Sequence, residues 1–246
     1  MPVLRSGPLA AWANAHLAGR VGIDQVVDAV TGRDAAHRVE SLPDGGATLL
    51  DLLTAWRRDG GPVRCALPVA GDVRGLAGPA TYRSAALVAG EAVATAALGA
   101  VPDVVDYAPS SNPSAVTWQV FALEPAPADH LSVADAQYEL TGAIRESASA
   151  LAAAQVAQPL PGDDALHAAR RAGERVNLPP GFPQRAVTLL AQAERIAAIV
   201  DLALVDPLGG AVDRIGIGDR DAALRPLATA ARRARMAAYN ATAGLP

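Results

Sequence analysis

The chain has no lysine: all 21 of its basic side chains are arginine. An ammonium is the cation that sheds its proton when buried and then attacks carbonyl carbons. Without it there is no Schiff-base lysine, no phosphate-loop lysine, no kinase strand lysine and no Tyr-x-x-x-Lys catalytic pair. Cysteine is nearly as scarce. Cys65 stands alone, so an intramolecular disulfide is impossible and a zinc site built on several thiolates is excluded. It sits inside the apolar run Val63–Val69. A small buried hydrophobe is expected there rather than an activated thiol, which needs a cationic neighbour or a helix N-terminus. Aromatic residues make up 4% of the chain, so the core must rest on Leu, Val and Ala, each burying a modest area. Long apolar runs are missing too. The longest, Ala85–Val101, is broken by Glu91, Thr95 and two glycines and does not read as a membrane span. Near the start, Asn14 and His16 interrupt the stretch Leu9–Ala18, so no secretory signal is read. A soluble, cytoplasmic protein is the expectation.

What is present is a folding composition: 246 residues, 51% hydrophobic and 19% charged, with a net charge of −4. The wealth of Ala, Arg, Gly, Pro and Val reads as the coding bias of a GC-rich bacterial genome, which also depletes lysine without selection on chemistry. Leu9, Trp12, Ala13 and Leu17 predict an amphipathic helix, and Ile23, Val26, Val27 and Val30 a second one after a glycine-containing joint. The pair resembles a helix-turn-helix. Its second helix, however, carries Asp24 and Asp28 and no arginine, a face that phosphate would repel. Leu49, Leu52, Leu53 and Trp56 predict a helix closed by Arg57-Arg58 and stopped at Gly60-Gly61. Val63–Val69 and Ala115–Leu123 read as strands, the second by its β-branched and aromatic content. A helix is expected from Pro79 to Ala89.

Beyond Glu124 the pattern turns helical. Ser132 with Asp135 resembles a capping box, and Val133, Leu140, Ile144 and Leu151 give a long helical stripe. Three more helices follow, one over Asp163–Arg175, one through Val187–Leu204 and a last one with Pro226 in its first turn. The expected fold is α+β. It comprises an N-terminal α/β-type unit over residues 1–124 with a small sheet of about three or four strands, a Pro-rich linker at 125–129, and an antiparallel helical bundle over 130–246.

Candidate chemistry is sparse. Gly71, Arg74, Gly75 and Gly78 lie in a glycine-rich loop between a predicted strand and a predicted helix, where backbone amides can face an anion. The spacing resembles the glycine pattern of short-chain dehydrogenases. That resemblance would imply a dinucleotide and a catalytic lysine, which this chain lacks, and Asp72 in the loop would repel phosphate. His130 beside Asp129, ahead of a helix N-terminus, is a candidate oriented base. None of His16, His37, His130 and His167 has metal-ligand spacing, so no metal and no cofactor is specified. Ser110, Ser111 and Asn112 form a polar loop without a nucleophile-elbow pattern. Two arginine groups remain, Arg170 with Arg171, and Arg232, Arg233 and Arg235, which suit an anion or an acidic partner. A solvated helix face, helped by the C-terminal dipole and by acids on neighbouring helices, is the simpler account of them.

The expected function is non-enzymatic: a protein that binds a protein partner or a second copy of itself. An enzyme or small-ligand binder with its site between the Gly71–Gly78 loop and His130 is the first alternative. Arginine-mediated binding of nucleic acid or an acidic partner is the second, with nucleic acid disfavoured by an isoelectric point near 5.5. No membrane contact is expected.

Overall fold

A computed structural model describes residues 3–106, 114–125, 129–153, 163–174, 176–205 and 214–242. Two compact units emerge. One holds Val3–His130, joined by Asn177–Pro183 and the chain from Tyr239. The other holds Leu131–Val176 and Gln184–Ala238.

In the first unit, α1 (Ser6–Leu17) is not amphipathic as expected. Ser6, Gly7 and every residue from Leu9 to Ala15 are buried. An Ala-rich helix has no bulky polar face to keep wet, so it is packed on every side. Helices α2 (Ile23–Thr31) and α3 (Leu49–Asp59) follow it. In α3 the Thr48 hydroxyl accepts from the Asp51 N–H while Asp51 reaches back to Thr48, and Gly60, in the left-handed region at φ 73°, ends the helix.

The sheet has five strands among the described residues, more than expected: β1 (Ala36–Glu40), β2 (Arg64–Ala66), β3 (Ala92–Ala94), β4 (Leu98–Val105) and β5 (Ala115–Ala122). Helix α4 (Ala80–Ala89) lies between β2 and β3 in the chain. The strand order is β1-β5-β4-β3-β2, with β1 parallel to β5 and the other pairs antiparallel. Two strands hid from the sequence for physical reasons. β1 (AHRVE) carries one β-branched residue, Val39, beside a single alanine, as an edge strand can. β4 contains Gly99 and Pro102, which normally argue against a strand.

Alternation along β5 buries Val116, Trp118 and Val120 on one face. On the other, Tyr82 of α4 covers Gly99 so closely that an added Cβ would meet its ring at 2.6 Å. Val101, Phe121 and Leu123 complete that layer. The outer edge of β2 is closed by side chains. Asn14 of α1 bonds both the N–H and C=O of Val63, at 2.9 and 2.7 Å. Asn240 does the same to Cys65, at 2.7 and 2.8 Å. Alternate residues of a strand point their backbone groups the same way, so two asparagines stand in for a missing neighbour strand.

The second unit contains α5 (Val133–Ala153), α6 (Asp163–Ala172), α7 (Gln184–Val205) and α8 (Arg214–Tyr239), with α5 and α6 packed on α7. The Ser132–Asp135 box is formed: the Asp135 N–H donates to Ser132 Oγ at 3.1 Å, and that hydroxyl donates to Asp135 Oδ2 at 2.6 Å. Pro226 lies in the interior of α8, not in its first turn, because the helix begins at Arg214. The proline breaks at Pro159, Pro161 and Pro207 lie outside the described residues, as do linker residues 126–128.

Candidate functional site

Most chemistry-bearing side chains of the first unit are bound up in its fold. His37 on β1 has a side chain 1% exposed. Its Nε2 is 3.0 Å from Asp34 Oδ2, and its Nδ1 is 3.1 Å from the Trp118 indole nitrogen. An indole N–H only donates, so Nδ1 accepts and the ring is neutral, with its proton on Nε2 directed at Asp34. Burial holds the His37 pKa below its ordinary value, the bond to Asp34 opposing this. Asp34 also receives Arg5 through Nε and Nη2, both at 3.0 Å. Burial pushes the Asp34 carboxyl up, but the bonds from Arg5 and His37 outweigh it and hold it below the usual carboxylate range. With both ring nitrogens of His37 engaged, this Asp–His pair ties the start of α1 to β5 and has no nitrogen left to act as a base.

Next to it, Glu91 is buried and its Oε2 accepts three bonds: the Arg5 and Ser6 N–H groups at 2.9 and 2.8 Å and the Ser6 hydroxyl at 2.6 Å. A carboxylate remote in sequence thus caps α1. His16 is engaged as well, its Nδ1 3.1 Å from Val21 O and its Nε2 2.9 Å from Arg57. Cys65 is fully buried in β2, 3.6 Å from Ser6 Oγ.

The Gly71–Gly78 loop is two tight turns. Asp72 N–H donates to Val69 O at 2.9 Å with Gly71 at φ 85°, and Leu76 N–H donates to Val73 O at 3.0 Å with Gly75 at φ 77°. Arg74 N–H meets Asp72 Oδ1 at 3.3 Å. Gly78 lies against Leu123 and Tyr82, either of which a Cβ would approach at 2.9 Å. Each glycine therefore has a turn or a close approach to explain it, and several amides of the loop are already bonded. The loop does reach the other candidate residues: Arg74 Nε is 3.1 Å from Asp129 Oδ2. His130 is half-buried, with its Nδ1 buried and lacking a partner among the described residues. Burial and the nearby Arg64 guanidinium hold its pKa below the ordinary value, with Asp129 pulling the other way.

In the second unit, Arg235 is buried and lies 2.9 Å from Glu194, itself buried. Burial raises the Glu194 carboxyl, which Arg235 counters. Arg233 pairs with Glu139 at 3.5 Å. Arg232 is half-buried on α8, and Arg171 is exposed on α6. The Arg170 side chain lies outside the described residues, as do Arg175 and Ser110, Ser111 and Asn112.

A feature that the sequence did not signal lies between α5 and α8: an open groove of about 1030 Å³. Ala134, Tyr138, Gly142 and Arg145 face it from α5 at steps of three and four residues, which is one helical face. Ala222, Pro226, Ala230 and Arg233 face it from α8 at similar steps, and Arg185 stands at the start of α7. The two of its lining residues that are buried, Ala143 and Ala230, are small and form its floor, and nothing lies within 4 Å of a Cβ added at half-buried Gly142. Tyr138 is 82% exposed on its wall. Arg145, Arg185 and Arg225 are exposed and make no ion pair among the described residues. Pro226 has no N–H to offer the carbonyl four residues back, so the Ala222 carbonyl lacks its helical partner. Among the described residues no group of three or more His, Cys, Asp or Glu is placed to hold a metal ion, and no helix is long and apolar enough to cross a membrane.

Residues 6–131 match the family model described as Rv1486c-like protein, N-terminal domain, and residues 134–236 match the one described as Rv1486c-like protein, C-terminal domain. Over 95% of both chains the sequence is 35% identical to Uncharacterized protein Rv1486c of Mycobacterium tuberculosis (strain ATCC 25618 / H37Rv). It is 32% identical, at the same coverage, to Uncharacterized protein ML1804 of Mycobacterium leprae (strain TN). No solved structure matches significantly.

Proposed function

The chain belongs to the Rv1486c-like family, and we propose that it acts without catalysis, by docking a protein partner in the groove between α5 and α8. The observation that carries this reading is the groove itself: a small-residue floor beneath a tyrosine 82% exposed, beside three exposed arginines without ion pairs among the described residues. Exposed aromatic and arginine side chains around a concave apolar floor are the usual anchors of protein interfaces. The volume, about 1030 Å³, lies at the upper end of small-molecule pockets, and the groove is open, which suits a macromolecular segment better than a compact ligand. The reading takes the second unit as an antiparallel bundle working in the cytoplasm.

The test is a photo-cross-linking amino acid placed at Tyr138 of the full chain in its host cell. Discrete adducts are expected, absent when the same amino acid replaces the exposed Arg20 and lost when Gly142→Leu fills the floor. Adducts equal at both positions, or none at Tyr138, refute the reading. Light scattering on the purified chain separates a second copy from a different protein as the partner.

A second reading is an enzyme or small-ligand site between the Gly71–Gly78 loop and His130, supported by the 3.1 Å Arg74–Asp129 contact that joins the loop to the residue beside His130, and by the buried His130 Nδ1, which has no partner among the described residues. Histidine ring spectra recorded during a titration with inorganic phosphate test its anion-binding form. An unmoved His130 resonance rules that form out.

A further inference from the structure

We infer that the occupant of the α5–α8 groove is an amphipathic helix from an acidic protein, with its apolar stripe on the small-residue floor and its carboxylates on Arg145, Arg185 and Arg225. This rests on the docking reading above and adds the chemistry of the partner.

Three observations lead to it. The first is shape. The lining residues of α5 run from Ala134 to Glu146, and at a rise of about 1.5 Å per residue they form a trough of roughly 18 Å, the length of about three helical turns. Two helices that present Gly142, Ala143, Ala222 and Ala230 to the same trough allow a third helix to approach closely, since small residues set small interaxial distances. An extended strand would find no sheet edge here to bond to, so the helix-in-groove mode is the one that the site offers.

The second is charge. Four arginines and two glutamates line the trough. Arg233 and Glu139 are paired at 3.5 Å, leaving Arg145, Arg185 and Arg225 against Glu146, an excess of two positive charges. The complement is a segment that brings carboxylates, and guanidinium forks take carboxylates two-pronged. Phosphate of a nucleic acid would also meet these arginines. It would then lie against Glu139, Glu146 and an apolar floor that contributes nothing to it, on a chain whose isoelectric point is near 5.5. The third is the Ala222 carbonyl, unsatisfied by its own helix because of Pro226. Both residues line the trough, so a hydroxyl or amide of the incoming helix finds an acceptor there.

The experiment uses the full chain and a fluorescein-labelled synthetic helix of about 18 residues, with leucines at helical spacing along one face and glutamates flanking them. Fluorescence anisotropy is read at low and at physiological salt. Saturable binding is expected, weakened severalfold by the added salt. A peptide with every Glu changed to Lys should not bind. The R145E/R225E double variant, folded by circular dichroism because both side chains are exposed, should lose affinity by about tenfold or more. Equal binding of the Glu and Lys peptides, unchanged binding by the double variant, or a single-stranded oligonucleotide that binds where the Glu peptide does not would each overturn the inference. If Tyr138 cross-links in the cell but the acidic helix fails to bind, the docking reading stands and the partner chemistry falls. If neither occurs, both fall.

Discussion

Replacing Asn240 with leucine should unfold the edge of the sheet more than its distance from β2 in sequence would suggest. Asn240 makes two hydrogen bonds to one residue, Cys65, at 2.7 and 2.8 Å. Cys65 is fully buried and Asn240 is 9% exposed. Leucine nearly matches the shape and removes both bonds. It takes from the buried Cys65 N–H and C=O the bonds that Asn240 gives them, and the loss of such a bond at a buried polar group costs roughly 1–3 kcal/mol, giving about 4 kcal/mol for the pair. That is a large part of the roughly 5–15 kcal/mol by which a domain is stable. The assay is urea unfolding followed by tryptophan fluorescence. Trp12, Trp56 and Trp118 are the only tryptophans and all lie in the sheet-containing unit, so the signal reports that unit alone. The midpoint should fall sharply at an unchanged slope. Asn240→Asp keeps the acceptor but sets a carboxylate against Cys65 O. Its loss at neutral pH should be at least as large, and should ease on acidification as the carboxyl regains an O–H donor. A loss under about 1 kcal/mol for N240L would mean that water replaces the clamp, and the edge-capping role would be wrong.

Two further outcomes follow from the same unit. His37 has a folded pKa depressed below its unfolded value of about 6.5, so the unfolded chain binds the proton first; stability should be full above that value and decline as pH falls below it. His130, depressed by burial and Arg64, contributes in the same direction. H37F should therefore reduce the slope of stability against pH between about 7 and 5 without abolishing it, and an unaltered slope in urea titrations would contradict the neutral-tautomer assignment. Gly99→Ala puts a Cβ 2.6 Å from the ring of Tyr82, which is 1% exposed and has no room to retreat. Overpacking of this kind costs about 1–3 kcal/mol, and a neutral result in the same urea assay would show that the α4 layer is loosely packed.

Local signals were readable wherever the physics is local. The stop of α3 at Gly60, the Ser132–Asp135 box and the alternation of β5 all depend on residues a few positions apart. The features that were not readable depend on distant partners. That α1 is buried all round follows from what surrounds it, and its Ala-rich sequence fits a one-sided helix just as well. β1 and β4 are strands because their neighbours supply the ladder, in spite of a polar sequence in one and Gly99 with Pro102 in the other. The bonds of Glu91 to Ser6 and of Asn240 to Cys65 span 85 and 175 residues, beyond any motif. The candidate residues divide in the same way. That residues 71–78 form a loop between a strand and a helix was legible from their glycines. The contact of Arg74 with Asp129 and the pairing of Arg235 with Glu194 were not, because each needs an acid from a remote segment. The groove left no sequence signal at all, since it is defined by helix faces that other helices do not cover.

The absence of lysine bears directly on where function can reside. A lysine can lose its proton and stay buried as a neutral amine, whereas a guanidinium remains charged and must find a carboxylate or stay in water. The arginines divide along that line. Arg5 and Arg235, about 10% exposed at the side chain, are each bonded to a carboxylate that is itself nearly covered, Asp34 and Glu194. Such pairs hold a fold in register, and breaking one by removing a single partner leaves an uncompensated charge. They are not available to a ligand without dismantling the core. Arg145, Arg185 and Arg225 stand in water around a concavity with no acid paired to them among the described residues. A charge that does nothing for the fold and lies beside an exposed tyrosine and an unfilled floor is where recognition costs the protein least. For that reason the arginines to change first are those three, and not the sequence cluster that ends at Arg235.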